Sequence, residues 1–236
     1  MQIKIVFVAL LTFTTLAGAA SKSVKVYVAL CDNKTQGIAK VGAKIGDGNV
    51  PDANLYWGCS DGFGSYFKRS KRWKVKSSDS DISNQVLRKM TLIHVDGDVR
   101  LTAEAYRGSE MEQCMKNFER DAAMSLYDLV VFIGHNGLMD VKIPELEPIS
   151  ENETEVMVLS CLSEMYYKDR LTRLGCRPVL LTRQLMYPGS FLLHDALEVW
   201  KRDGSPAEMR AAAGKAYSKN QGISVKAGTG IFAELP

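Results

Sequence analysis

Three short apolar runs, Leu129-Val130-Val131-Phe132-Ile133, Val156-Met157-Val158-Leu159 and Pro178-Val179-Leu180-Leu181, recur between segments of helical character. A run that is apolar at every position has no face to give to water. It reads as a strand buried on both sides, and such strands belong to a parallel sheet covered by helices. Helices are read at Ser163 to Leu174, closed by Gly175, at about Ser190 to Arg202, and at about Pro206 to Lys219, where Ser205 and Pro206 take the N-cap and first helical positions. Upstream, Val24 to Leu30 alternates with β-branched residues and reads as a strand. Met90 to Val95 and Val99 to Tyr106 flank Asp96-Gly97-Asp98, a hairpin turn signal. Ser109 and Glu112 fit a capping box that opens a helix to about Leu126. The fold class is α/β with a mostly parallel central sheet, in a single domain over residues 21–236. From Cys31 to about Lys76 the chain is rich in Gly, Asn, Asp and Ser and reads as one long irregular excursion, of the kind found at functional sites.

The first 20 residues have the layout of a secretory signal peptide: Lys4, an apolar run from Ile5 to Leu16, then Ala17-Gly18-Ala19-Ala20. The run is shorter than the roughly 20 residues of a membrane-spanning helix, so the expectation is cleavage, no membrane span afterwards, and a secreted or periplasmic protein. Five cysteines then acquire meaning, because an exported chain meets oxidising conditions and an odd count leaves one thiol over. A net charge of +3 is too small to suggest a nucleic-acid partner. There is no CxxC or HExxH and there are only three histidines, which gives no reason to expect a metal. His94 and His194 read as structural.

In an open parallel sheet, functional groups gather beyond the carboxyl ends of the strands. His135 stands after Val131-Phe132-Ile133-Gly134, and Cys161 after Val156-Met157-Val158-Leu159-Ser160. If the two strands are neighbours, about 4.8 Å apart, thiol and imidazole come within reach of each other. Cys161 would also begin the helix that follows, where free N–H groups favour a thiolate. Gly137 lets backbone approach a substrate carbonyl, so its N–H and that of Cys161 are the candidate oxyanion hole. With Cys161 kept reduced, Cys31, Cys59, Cys114 and Cys176 are the set free to form disulfides.

A hydrophobic strand ending in His135 with Gly137 beyond it, then one ending in Ser160-Cys161, resembles the caspase-like cysteine peptidases, the group of caspases, legumains, gingipains, clostripain and separases. The short spacing is most similar to separases and CHAT-type domains. Arg173 to Leu181, Leu197-Glu198-Val199-Trp200 and Ser205 to Ala212 resemble the following strand and the two closing helices, so the resemblance covers about residues 95–222. It implies a three-layer α/β/α caspase-like fold and an endopeptidase with Cys161 as nucleophile and His135 as acid and base, acting on a peptide or protein without a cofactor. It also implies that Asp32, directly after the first strand, lines the S1 pocket and favours Arg or Lys at P1; an ordinary turn aspartate is the competing interpretation. Most members of the group have Gly immediately after His, whereas here Asn136 intervenes. A catalytically silent caspase-like binding domain is therefore the second possibility.

Two further motifs compete. Gly58-Cys59-Ser60-Asp61-Gly62 satisfies the G-x-S-x-G pattern of a serine hydrolase, although a strong strand before Ser60 and a helix after it are wanting. Lys68 to Lys76 holds six basic residues in nine. It reads as a solvated loop, with self-processing or a Trp73-assisted contact to an anionic polymer as functional alternatives.

Overall fold

The computed structural model describes residues 21–236, so the expected signal peptide, residues 1–20, lies outside the described residues. Seven strands form one sheet: β1 (Lys22–Ala29), β2 (Trp73–Ser80), β3 (Val86–His94), β4 (Val99–Tyr106), β5 (Leu129–Ile133), β6 (Thr154–Leu159) and β7 (Cys176–Leu180). Their order is β2-β3-β4-β1-β5-β6-β7. The five strands from β4 to β7 run parallel, and β3 runs against both of its neighbours. Among the described residues the six α-helices are α1 (Phe63–Arg69), α2 (Met111–Ala123), α3 (Ser163–Arg173), α4 (Phe191–Trp200), α5 (Pro206–Gln221) and α6 (Val225–Gly230).

The all-apolar runs are buried on both sides, and alternate residues enter two different cores. Val24, Val26 and Val28 of β1, Leu129, Val131 and Ile133 of β5, and Met157 and Leu159 of β6 pack with Phe63 and Phe67 of α1, Leu193 and Leu197 of α4, and Met209 and Ala213 of α5. Tyr27 and Ala29, Val130 and Phe132, and Val156 and Val158 face the opposite way, onto Met115 and Phe118 of α2 and Tyr167 and Leu171 of α3. A one-residue slip in any of these strands would exchange the two sets, so the register is firmly specified.

The excursion from residue 31 is less irregular than its composition suggests. It contains α1 and runs into β2, so the basic run of residues 68–76 is the end of a helix, a short turn and an edge strand rather than one solvated loop. Lys74 and Lys76 are exposed on that edge, where charge discourages pairing with another chain. Trp73 is buried against Phe67 and His94, so its ring is not offered to a polymer. The helix expected to open at Ser109 begins at Met111 instead. A 3-10 turn over Gly108–Glu110 precedes it, and no side chain caps it.

Candidate active site

The chain leaves β1, lays β2 to β4 on one side of it, then crosses to β5, β6 and β7 on the other. The boundary between β1 and β5 is thus the point where strand order reverses, and the place where an open sheet leaves a crevice at its carboxyl ends. Ile133 is paired with Leu159. Continued two residues beyond the ladder, that register sets His135 opposite Cys161. Asn136, fully buried, ties the two strand ends together: its Nδ2 donates to the Cys161 carbonyl at 2.7 Å, and its Oδ1 accepts the Leu138 N–H at 3.2 Å. The residue that departs from a His-Gly pattern is therefore the clamp between the two segments.

His135 is buried, and its Nε2 lies 2.9 Å from Asp140 Oδ2. An ionised carboxylate only accepts, so it holds the ring proton on Nε2 and leaves Nδ1 as the basic nitrogen. The same Asp140 oxygen accepts the Gly37 N–H at 2.7 Å, which fastens the residue 31–62 excursion to the histidine turn. Asp140 is inconspicuous in the sequence. Its only signal there is a carboxylate five positions after a strand-end histidine, in a segment without periodicity.

Cys161 is half-buried. Its Sγ lies 3.4 Å from the Met186 N–H, a donor toward the thiolate, and 3.5 Å from the Met186 carbonyl, an acceptor for the thiol. The next residue, Leu162, sits in the left-handed region at φ 54°, an arrangement that costs about 1–2 kcal/mol for a residue with a Cβ. Strained residues of this sort gather at active sites. The expected role of the helix start is not met. α3 begins at Ser163, and its first donors are taken by β7's continuation: the Ser163 N–H by Thr182 Oγ1 at 3.2 Å and the Glu164 N–H by the Thr182 carbonyl at 2.9 Å. The backbone N–H directed at the Cys161 sulfur is that of Met186 instead.

His135 and Cys161 line one cleft of about 440 Å³. Its walls are Ile38 and Ala39, Leu55 and Tyr56 from the excursion, Met139, and Leu185 to Pro188 after β7. No carboxylate is among them. Asp32 lies elsewhere, buried with its Cβ against Gly48 and Gly108 and its Oδ1 accepting the Lys34 N–H at 2.9 Å, the local bond of a turn aspartate. Gly137 is not in the cleft wall either. A Cβ there would stand 2.5 Å from the Met115 methyl and 2.8 Å from that of Met111, so its close approach is to α2.

Ser60 is exposed in a series of turns with no strand before it. The flanking glycines answer to packing: a Cβ on Gly58 would stand 2.2 Å from Asp52 backbone, and one on Gly62 would stand 2.5 Å from Trp57 backbone. One group among the described residues has metal-ligand geometry, His94 with Asp96 and Asp98 in the β3–β4 turn. The Lys201 ammonium already lies 2.7 Å from Asp96 and 3.0 Å from Asp98, and His94 Nε2 faces Glu198 at 3.2 Å. The cluster ties the turn to α4.

All five cysteines are free thiols, so Cys31, Cys59, Cys114 and Cys176 are not joined in pairs. Burial, helped by the charge of Asp32, pushes the Cys31 thiol up to about 11, and burial pushes Cys176 up to about 12. Burial also raises Cys59, and Cys114 well above the ordinary range. Iodoacetamide near neutral pH is therefore expected to alkylate Cys161 first and to leave Cys31, Cys114 and Cys176 intact until the protein is unfolded, as read by mass spectrometry of tryptic peptides. Labelling of Cys114 or Cys176 at the same rate as Cys161 would contradict this order. Compared with protein-family models, with curated proteins and with solved structures, the chain finds no match.

Proposed function

We propose that the chain is a cysteine endopeptidase with a three-layer α/β/α caspase-like fold, exported to a secreted or periplasmic location by its first 20 residues. The observation that carries this reading is the juxtaposition of His135 and Cys161 at the ends of the paired strands β5 and β6, with Asp140 fixing the imidazole. Cys161 Sγ attacks the peptide carbonyl and its proton passes to His135. His135 then protonates the leaving amine, and as the acyl-enzyme is hydrolysed it takes a proton from the attacking water and returns it to the departing Cys161 sulfur. The apolar cleft wall supports an uncharged, apolar side chain at P1. A preference for Arg or Lys has no carboxylate there to support it, because Asp32 is turned to other partners.

A fluorogenic peptide library varied at P1 tests the proposal. Turnover with Leu, Met or Phe at P1, lost after alkylation of Cys161, is the expected result. Turnover confined to Arg and Lys would overturn the assigned specificity. A folded protein with an alkylatable Cys161 and no turnover would favour a caspase-like binding domain.

A further inference from the structure

The basic run of residues 68–76 is not used by the Cys161 cleft. It opens instead onto a second cavity, of about 480 Å³, lined by residues of α1, the turn after it, α4 and α5. The two cavities share no lining residue. On the wall of the second, Ser70 Oγ lies 2.8 Å from His194 Nε2, and His194 Nδ1 lies 2.9 Å from Asp195 Oδ1. Proton positions follow from the end of this chain. The Asp195 carboxylate only accepts, so Nδ1 carries the ring proton, Nε2 of the neutral ring is bare, and Ser70 donates to it. A second lone pair of Ser70 Oγ accepts the Arg72 N–H at 3.0 Å, which fixes the hydroxyl. This is the tautomer with which a histidine can take a serine proton.

The ring is held as well as protonated for that task. His194 is buried, with its edge on Tyr66 at 5.3 Å and on Phe67 at 5.6 Å. The rest of the cavity is cationic. Arg69, Lys71, Arg72 and Lys219 line it, and Asp195 is the one acid among the lining residues. Arg72 lies 3.7 Å from Asp195 and 4.0 Å from Glu198, so its charge is matched. Arg69 donates to the Ser60 carbonyl, which carries no charge, and Lys71 and Lys219 form no ion pair among the described residues. Three uncompensated cations around one serine attract an anion and also stabilise negative charge that develops on a reacting oxygen.

We propose that this cavity is a second hydrolytic site, independent of Cys161, in which Ser70 cleaves carboxylic esters that carry an anionic group. Ser70 Oγ bonds to the ester carbonyl carbon while its proton moves to His194 Nε2. The alcohol leaves with that proton, and water, deprotonated by His194, releases the acid and restores the serine. His194 and Asp195 neither gain nor lose a proton over the cycle.

The test uses the whole protein with Cys161 already alkylated, so that the cysteine site contributes nothing. A fluorophosphonate probe is expected to label Ser70, as located by peptide mass spectrometry. Mono-4-nitrophenyl glutarate is expected to be cleaved with kcat/KM about tenfold above 4-nitrophenyl butyrate at low salt, the ratio shrinking at high ionic strength as the cations are screened. Ser70→Ala should remove on the order of 10³-fold of that activity. Absence of Ser70 labelling in the folded wild-type protein, or ester cleavage unchanged by Ser70→Ala, overturns the proposal.

Discussion

Alanine at His135 is expected to lower kcat/KM on any peptide the Cys161 site cleaves by on the order of 10⁴-fold, and asparagine at Asp140 by on the order of 10²- to 10⁴-fold. The two losses have different physical origins. His135→Ala deletes the group that accepts the thiol proton and returns it to the leaving amine. Asp140→Asn keeps the size of the side chain and removes the charge that fixes one proton. Asp140 Oδ2 accepts from both the Gly37 N–H, at 2.7 Å, and His135 Nε2, at 2.9 Å, so an asparagine sets either its oxygen or its amide nitrogen at that one position. With the oxygen there, both bonds survive without the charge that holds the ring proton on Nε2; with the nitrogen there, the Gly37 bond is lost and the ring proton moves to Nδ1. Either way the tautomer with a bare Nδ1 is favoured less than it is by the carboxylate. The expected signature is a fall in kcat with KM little changed, and a pH profile that loses the limb reporting the His135 base. A KM increase with kcat preserved would mean that Asp140 only ties residues 37–39 to the cleft, and activity within twofold of wild type would remove it from the mechanism.

How much of this was legible in the sequence differs from element to element. Val99–Tyr106 is legible with its observed bounds, because alternating residues and the Asp96-Gly97-Asp98 turn are local signals that no other part of the chain overrides. The N-terminus of α5 was legible for the same reason: Ser205 and Glu208 exchange both capping bonds behind Pro206. The apparent capping box at Ser109 and Glu112 was misleading, since Gly108 is pressed against Asp32 and Gly48, and that contact sets how the chain enters α2. α1 was hidden by its own glycine. A Cβ on Gly64 would stand 2.6 Å from Trp57 Nε1, and Phe63 and Phe67 stack with each other and continue to Trp57 and Trp73, so a seven-residue helix with poor propensity is held by its neighbours. His135 and Cys161 were visible because strand ends are visible. Asp140 and Met186 were not, because each acts from irregular backbone whose position is fixed only by the finished fold.

The largest stability effect is expected at a pair remote from either cavity. Glu119 of α2 is wholly buried and Arg170 of α3 nearly so, with Arg170 Nη2 2.7 Å from Glu119 Oε2. The guanidinium also donates to the Ile143 carbonyl at 3.0 Å and the Pro144 carbonyl at 2.8 Å, in the β5–β6 connection that carries Asp140. Methionine at Arg170 would leave a carboxylate without a partner in an apolar interior, a loss of about 3–5 kcal/mol. For a chain of this length that corresponds to a fall in Tm of roughly 10 °C. The double replacement Glu119→Met with Arg170→Met should recover part of it, since no charge is then left buried, but not all, because two carbonyls still lose their donor. The neighbouring pair of Arg173 and Glu145, 2.8 Å apart but in water, is the control, and Arg173→Met should leave Tm unchanged. If Arg170→Met were no more harmful than Arg173→Met, the pair would not be carrying the junction of α2, α3 and the Asp140 segment. If it is, peptide turnover in Arg170→Met should fall even below its melting range, as the connection that holds Asp140 loosens.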